Sequence, residues 1–277
     1  MKWRLLKYQR LNAFENMAID EAIFRETVAN QKTPTLRFFG WSPSAVSVGY
    51  FQDPNKEINI RRCRDTGVDL VRRITGGKAV YHHDEITYSL TASGAERIFP
   101  DDLILTYDLI SRGLACGLSM LGISAEPAPV DIAPLKKKME LSSTCFWAPS
   151  ARELLVGGKK ICGSAQVRTR GGFLQHGSML MTFDARQTAA LTLCACSEEV
   201  CGKLGESVTA VNELVFPAVN GEDLSRALEQ GLSKQLGVEF SPGWLTPSEE
   251  RLAGQLLQKY TSDAWNFARA KIACQMA

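Results

Sequence analysis

No stretch of this 277-residue chain approaches the ~18 uninterrupted apolar residues of a membrane span. Charge at Lys2, Arg4, Lys7 and Arg10 interrupts the N-terminus before a leader's apolar core could form. The chain is therefore expected to be soluble and cytoplasmic, with no membrane partner. An excess of one charge is also missing. With 32 Lys+Arg against 30 Asp+Glu, a globally basic nucleic-acid binder is excluded. Histidine is scarce: His82, His83 and His176 are the only three, so a three-histidine metal site would need all of them and a Cys–His hydrolase one. Eight cysteines fall far below the density of a disulfide scaffold and keep no regular spacing, which reads as reduced thiols. Cys194, Cys196 and Cys201 lack a fourth ligand nearby, so packed thiols account for them better than zinc, and no metal site is expected. Internal repeats and low-complexity tracts are absent.

What remains is an ordinary globular composition, 45% hydrophobic and 22% charged, at a length that fits one elaborated α/β domain. Phe14, Met17, Ala18 and Ala22 repeat at helical spacing after Asn12, a candidate cap, and should lie apolar face down on a sheet. Runs at Thr35–Trp41, Ala45–Phe51, Val68–Arg72 and Ala79–Thr91 read as strands, with a short helix at Ile58–Asp65. Leu103, Tyr107, Ile110, Leu114, Leu118 and Leu121 trace one face of a longer helix ended by Gly122. Further strands are expected at Lys160–Arg168 and Phe173–Phe183, flanking Gly171-Gly172. Helices are expected at Ala185–Leu193, Gly221–Leu236 and Pro247–Tyr260. The fold class is thus mixed α/β, an α+β mixed sheet, and not a sandwich or bundle.

The even charge hides an uneven distribution. Between Pro134 and Arg170 there are eight basic residues against two acidic ones, including Lys136, Lys137 and Lys138; from Leu180 onward there are eight basic and twelve acidic. A solvated surface explains most such asymmetries, whereas a docking face for an acidic macromolecule is the sharper reading.

Two blocks carry possible chemistry. In Arg72-Arg73-Ile74-Thr75-Gly76-Gly77-Lys78-Ala79, consecutive glycines allow close backbone approach to a ligand, with Arg72 or Arg73 as fixed charge; a plain hairpin turn fits equally well. The spacing matches neither a Walker loop nor a dinucleotide fingerprint. In Lys159-Lys160-Ile161-Cys162-Gly163-Ser164, strand periodicity puts Lys160, Cys162 and Ser164 on one face and Ile161 and Gly163 on the other. Lys160 is then either a site cation or a surface lysine at a strand start. Cys145 follows the basic segment, a setting that lowers a thiol pKa.

These blocks, with Gln175-His176-Gly177-Ser178, Asn16-Met17-Ala18-Ile19-Asp20-Glu21 and Trp265-Asn266-Phe267, resemble the biotin/lipoate protein ligase superfamily in its own motif order, most closely the lipoate branch. The resemblance implies a ligase-like catalytic domain with flanking helices over residues 1–277. Its core would cover about 31–245, with the N-terminal strand and helix and the C-terminal helices packed on it and no separate accessory domain. Cys145-Phe146-Trp147-Ala148-Pro149-Ser150 resembles the cysteine-bearing motif of octanoyltransferases of the LipM type, and Lys78 stands where ligases carry a third glycine.

That resemblance implies transfer of an octanoyl group from octanoyl-acyl-carrier protein to a lysine of a lipoyl-domain protein such as glycine cleavage H protein. Cys145 would carry the acyl thioester and Lys160 would lower the thiol pKa. Arg73, Thr75, Gly76, Gly77, Ala79, His176 and Gly177 would line the acyl tunnel or its mouth. No ATP, metal or other cofactor would be needed, and the enzyme would be a monomer. Two alternatives stay open: an ATP-dependent lipoate–protein ligase, and an octanoyl amidotransferase working between lipoyl domains.

Overall fold

The computed structural model describes residues 1–129, 153–192 and 197–267. Strand β1 (Lys2–Leu11) leads into helix α1 (Ala13–Asn30). Asn12 accepts the Glu15 N–H and the Glu15 carboxylate accepts the Asn12 N–H, a reciprocal cap that fixes where the helix begins.

The main sheet has eight strands in the order β11 (Glu239–Gly243), β1, β2 (Thr35–Trp41), β6 (Glu85–Ser93), β10 (Gly172–Leu180), β9 (Lys159–Thr169), β8 (Leu154–Val156) and β7 (Glu126–Pro127). β1 runs parallel to both β11 and β2, and every other pairing is antiparallel. A smaller sheet, β4 (Asp69–Arg72), β3 (Ala45–Val48) and β5 (Val80–His82), carries the Gly76-Gly77 loop between its outer strands.

The single strand expected over Ala79–Thr91 is thus two strands in two sheets. His83 and Asp84 turn the chain between them, and the Asp84 carbonyl is taken by the Met181 N–H at 3.0 Å. This break brings the small sheet over the large one.

The two faces of the large sheet differ in chemistry because strand side chains alternate. Leu36, Phe38, Ile86, Tyr88 and Met179 point into the main apolar core, which helices α4 (Leu103–Met120) and α8 (Gly221–Leu236) cover. The two helices touch backbone to backbone: a Cβ on Gly231 would overlap Gly117 of the facing helix. On composition alone α4 could cross a membrane, yet Ile110, Leu114 and Leu118 are fully buried in this core.

The opposite face presents Arg37, Thr87, Ser89, His176 and Ser178, all buried under α1 and the small sheet. Polar side chains in such a place must satisfy one another or a ligand. Helix α9 (Pro247–Tyr260) backs α1 through Leu256 and Tyr260.

Candidate active site

Arg73 leaves β4 and turns its guanidinium into the space between the sheets. Two hydrogen-bond relays radiate from it. On one side Nε donates to Thr75 Oγ1 at 3.1 Å, Thr75 Oγ1 lies 2.8 Å from His176 Nε2, and His176 Nδ1 lies 3.2 Å from Asp20 Oδ2. On the other, Nη1 donates to Ser47 Oγ at 3.0 Å, Ser47 Oγ lies 2.7 Å from His82 Nε2, and His82 Nδ1 lies 2.8 Å from Glu85 Oε1. Each relay reads arginine, hydroxyl, imidazole, carboxylate. One direction serves every hydroxyl and ring nitrogen along both relays: the arginine donates to the hydroxyl, the hydroxyl to Nε2, and Nδ1–H to the carboxylate.

Burial pushes the His176 imidazole below its usual pKa, outweighing the pull of Asp20. Burial alone would raise Asp20, but the hydrogen bond from His176 and the adjacent Arg37, whose Nη1 sits at 2.8 Å, hold it low. A neutral imidazole beside an ionised carboxylate fits both directions. Glu85 is likewise held low against burial, first by His82 and then by the Thr87 hydroxyl at 2.6 Å. Trp41 stacks on His82 with ring centroids 3.9 Å apart and donates Nε1–H to Thr87 Oγ1 at 2.8 Å.

A pocket opens between the relays. Gly163 and Ala165 of β9 stand at one end, His176, Gly177 and Ser178 of β10 lie along it, and Thr87, Trp41 and Met17 stand at the other. Arg73, Ser47, Val80 and His82 roof it. From β9 to β6 is two strand spacings, about 10 Å.

At the β9 end, Leu154 pairs with Cys162 but Leu155 with Lys160, so Ile161 is an extra residue, a β-bulge. The bulge overturns the expected alternation. Ile161 and Cys162, neighbours in sequence, both enter the apolar core, while the Lys160 head comes to the side of Gly163, where a Cβ would meet Nζ at 3.2 Å. Lys160 Nζ lies 2.8 Å from Glu153 Oε1, and both side chains are 1% exposed. It is no surface lysine. Cys162 shares a side with Ser164, as the alternation expects, but not with Lys160; its Sγ lies 4.0 Å from Ser164 Oγ, and burial pushes its thiol up to about 12.

Of the residues singled out in sequence, Arg73, His176 and Gly177 line the pocket. Thr75 is buried beneath it, joining Arg73 to His176. The Gly76 carbonyl accepts from Arg73 Nη2 at 2.8 Å, and a Cβ on Gly77 would fall 3.7 Å from Ala165 Cβ, at the β9 end. Ala79 is not brought to the pocket: it packs with Val46, Val48, Ile58 and Cys63 on the far side of the small sheet. Arg72 spends its side chain on the carbonyls of Gly49, Tyr50, Gln52, Trp265 and Asn266, which leaves Arg73 as the site arginine. Cys145, Lys136, Lys137 and Lys138 lie outside the described residues.

The sequence names His82 only among its three histidines and Asp20 only within the first helix motif, gives neither a place in this pocket, and singles out none of Ser47, Glu85 and Glu153. The available signals were the i,i+4 pair Asn16 and Asp20 on an otherwise apolar helix face, and His82 followed three residues later by Glu85. Among the described residues no three His, Cys, Asp or Glu side chains group as a metal site.

The lipoyl protein ligase A/B catalytic domain family matches residues 12–233. Octanoyltransferase LipM of Kyrpidia tusciae is 38% identical over 272 residues, 96% of this chain and 99% of that protein. The same-named protein of Brevibacillus brevis is also 38% identical, over 97% of this chain and 99% of its own. Among solved structures, lipoate-protein ligase A bound with ATP superposes with a TM-score of 0.80 at 28% identity, covering 96% of this chain and 99% of that one. A bi-partite lipoate protein ligase from Thermoplasma acidophilum gives 0.81 at 26%, covering 98% and 99%.

Proposed function

The chain belongs to the lipoyl protein ligase A/B catalytic domain family, and from that premise we propose that it is an octanoyltransferase of protein lipoylation, working through a cysteine thioester. The observation that carries this reading is identity near 38% along almost the whole length of proteins named octanoyltransferase. The geometry supports it with a pocket about as long as an extended eight-carbon chain and a buried lysine at one end of it.

In this reading the acyl chain lies across β10, its carbonyl near Gly163 and its methyl end toward Met17 and Trp41. The Cys145 thiolate attacks the thioester carbonyl of octanoyl-acyl-carrier protein, and the carrier thiol leaves. The ε-amine of a lysine on a lipoyl-domain acceptor, such as glycine cleavage H protein, then attacks octanoyl-Cys145. The cysteine leaves as thiolate, the amine loses a proton, and an amide forms. Lys160 supplies positive charge next to the thiolate, and Arg73 and His176 hold the pocket wall in register. No ATP or other cofactor enters either step. Lys136, Lys137 and Lys138 steer the acidic carrier; reversing all three to Glu should lower both the acylation rate and its salt sensitivity, and unchanged rates would remove that role.

The test is intact-mass analysis after incubation with octanoyl-acyl-carrier protein without ATP. A hydroxylamine-labile octanoyl adduct is expected in the wild type and in Cys162→Ser, and none in Cys145→Ser. Product formation only with ATP and free acid, surviving Cys145→Ala, would establish a ligase instead. Acylation only by an octanoylated lipoyl domain would make the enzyme an amidotransferase.

A further inference from the structure

Burial of a charged pair beside a pocket needs a reason, because taking two ions out of water is expensive unless they hold each other closely. Lys160 and Glu153 meet at 2.8 Å with almost no exposure, and both are fixed through their backbones. The Glu153 carbonyl accepts the Ala128 N–H at 2.7 Å, immediately before β8, and the Lys160 carbonyl accepts the Thr209 N–H at 3.0 Å. The β-bulge at Ile161 sends the lysine to the pocket side, and Gly163 leaves room for its head: a Cβ there would sit 3.0 Å from Cε. An ammonium in such surroundings tends to shed its proton, and a carboxylate in contact reverses that tendency.

We propose that Glu153 is a positioning residue that keeps Lys160 protonated and aimed at the β9 end of the pocket, so that Lys160 serves the thiolate as a fixed cation and not as a neutral amine base. The inference rests on the reading of Lys160 as the cation beside the acyl-accepting thiol. It makes a prediction of definite sign. Removing the negative charge of Glu153 directly would lower the pKa of a nearby thiol; if Lys160 loses its proton as a consequence, the thiol loses its cation and its pKa rises instead. Only the proposed coupling gives the rise.

The experiment uses full-length protein and follows Cys145 alkylation by iodoacetamide against pH, read by mass spectrometry, together with single-turnover acylation by octanoyl-acyl-carrier protein. Glu153→Gln is expected to raise the alkylation midpoint by about one unit and to slow acylation about tenfold at pH 7. Glu153→Asp, whose shorter side chain brings its carboxylate less close to Nζ, should fall between wild type and Glu153→Gln in both, and the midpoint of Glu153→Gln/Lys160→Met should lie no higher than that of Lys160→Met, because the rise needs Lys160. A midpoint that falls or stays, with acylation within about twofold of wild type, would overturn the proposal.

Breaking one half of a buried pair destabilises far more than removing both, so the double variant folds even where Glu153→Gln does not. In that event Glu153→Asp carries the test: a partial rise of the midpoint is expected, and no change overturns the idea. If the wild type forms no adduct, the octanoyl-transfer reading fails by itself, while the alkylation midpoints still decide whether Glu153 sets the charge of Lys160.

Discussion

Thr75 Oγ1 lies 2.8 Å from His176 Nε2, tying the loop after β4 to the centre of the large sheet. The same hydroxyl accepts from Arg73 Nε, so one oxygen serves as acceptor on one side and donor on the other. Thr75→Val keeps the shape and removes both functions, leaving a buried donor and a buried acceptor without a partner, at a cost of about 1–3 kcal/mol for each. Denaturant titration should show that loss, and kcat/KM should fall because His176 loses its link to Arg73, which then keeps its Nη contacts to Ser47, Gly76 and Lys78. Thr75→Ser should stay near wild type in both. Equal loss in the serine variant would mean that the methyl packing, not the relay, matters.

The low pKa of His176 makes a stability prediction. In the folded chain burial keeps this imidazole neutral, whereas in the unfolded chain it takes a proton near pH 6.5. The unfolded state therefore binds more protons as the pH falls, so stability present above about 6.5 is lost as the pH drops through that value toward the folded pKa. Asp20 acts in a lower window: its depressed pKa favours the folded state above the ordinary carboxylate range and loses that contribution only in stronger acid. Melting temperature measured from pH 7.5 to 5.5 should fall more steeply for the wild type than for His176→Gln, whatever their absolute values. Parallel curves would show that His176 does not carry the effect.

Glycines near the loop should separate cleanly by substitution with alanine. A Cβ on Gly49 would overlap the Gly77 carbonyl oxygen, and Gly77 itself has φ +88° with Arg73 Nη2 2.9 Å from the new atom. Gly76 has open space and no positive φ. Gly49→Ala and Gly77→Ala should each lower stability by about 1 kcal/mol or more and displace Arg73, reducing kcat/KM. Gly76→Ala should leave the melting temperature within experimental error.

Element types were legible wherever periodicity and caps agreed, as in α1, where Asn12, Glu15 and the apolar stripe all mark one start. β1 was hard to read because only Trp3 and Leu6 of its ten residues are buried, and Lys2, Lys7, Gln9 and Arg10 resemble a solvated segment. It is stabilised by pairing with β11 and β2, partners far away in sequence. The site was legible as motifs but not as geometry. The Arg73 and His176 blocks are visible one at a time, yet the contact that joins them, Thr75 to His176, spans 101 residues, and the one that ties His176 to Asp20 spans 156. The bulge at Ile161 defeats a period-two reading because it depends on the partner strand's register, which the local sequence does not carry.

Met17 gives a direct handle on the acyl chain. Its side chain is buried from α1 against Trp41 and forms the pocket end farthest from Lys160. Truncation there removes three heavy atoms from the wall without touching any relay hydrogen bond, unlike a change at Trp41, whose Nε1 serves Thr87 and Glu85. Met17→Ala should destabilise by about 2–5 kcal/mol through the void it leaves. It should also shift preference toward longer donors. With a series of acyl-carrier proteins from hexanoyl to dodecanoyl, the ratio of decanoyl to octanoyl kcat/KM is expected to rise severalfold, since each added methylene that finds a dry site is worth about 0.8 kcal/mol. An unchanged ratio in a folded variant would place the chain terminus elsewhere and reverse the direction assigned to the acyl group in the pocket.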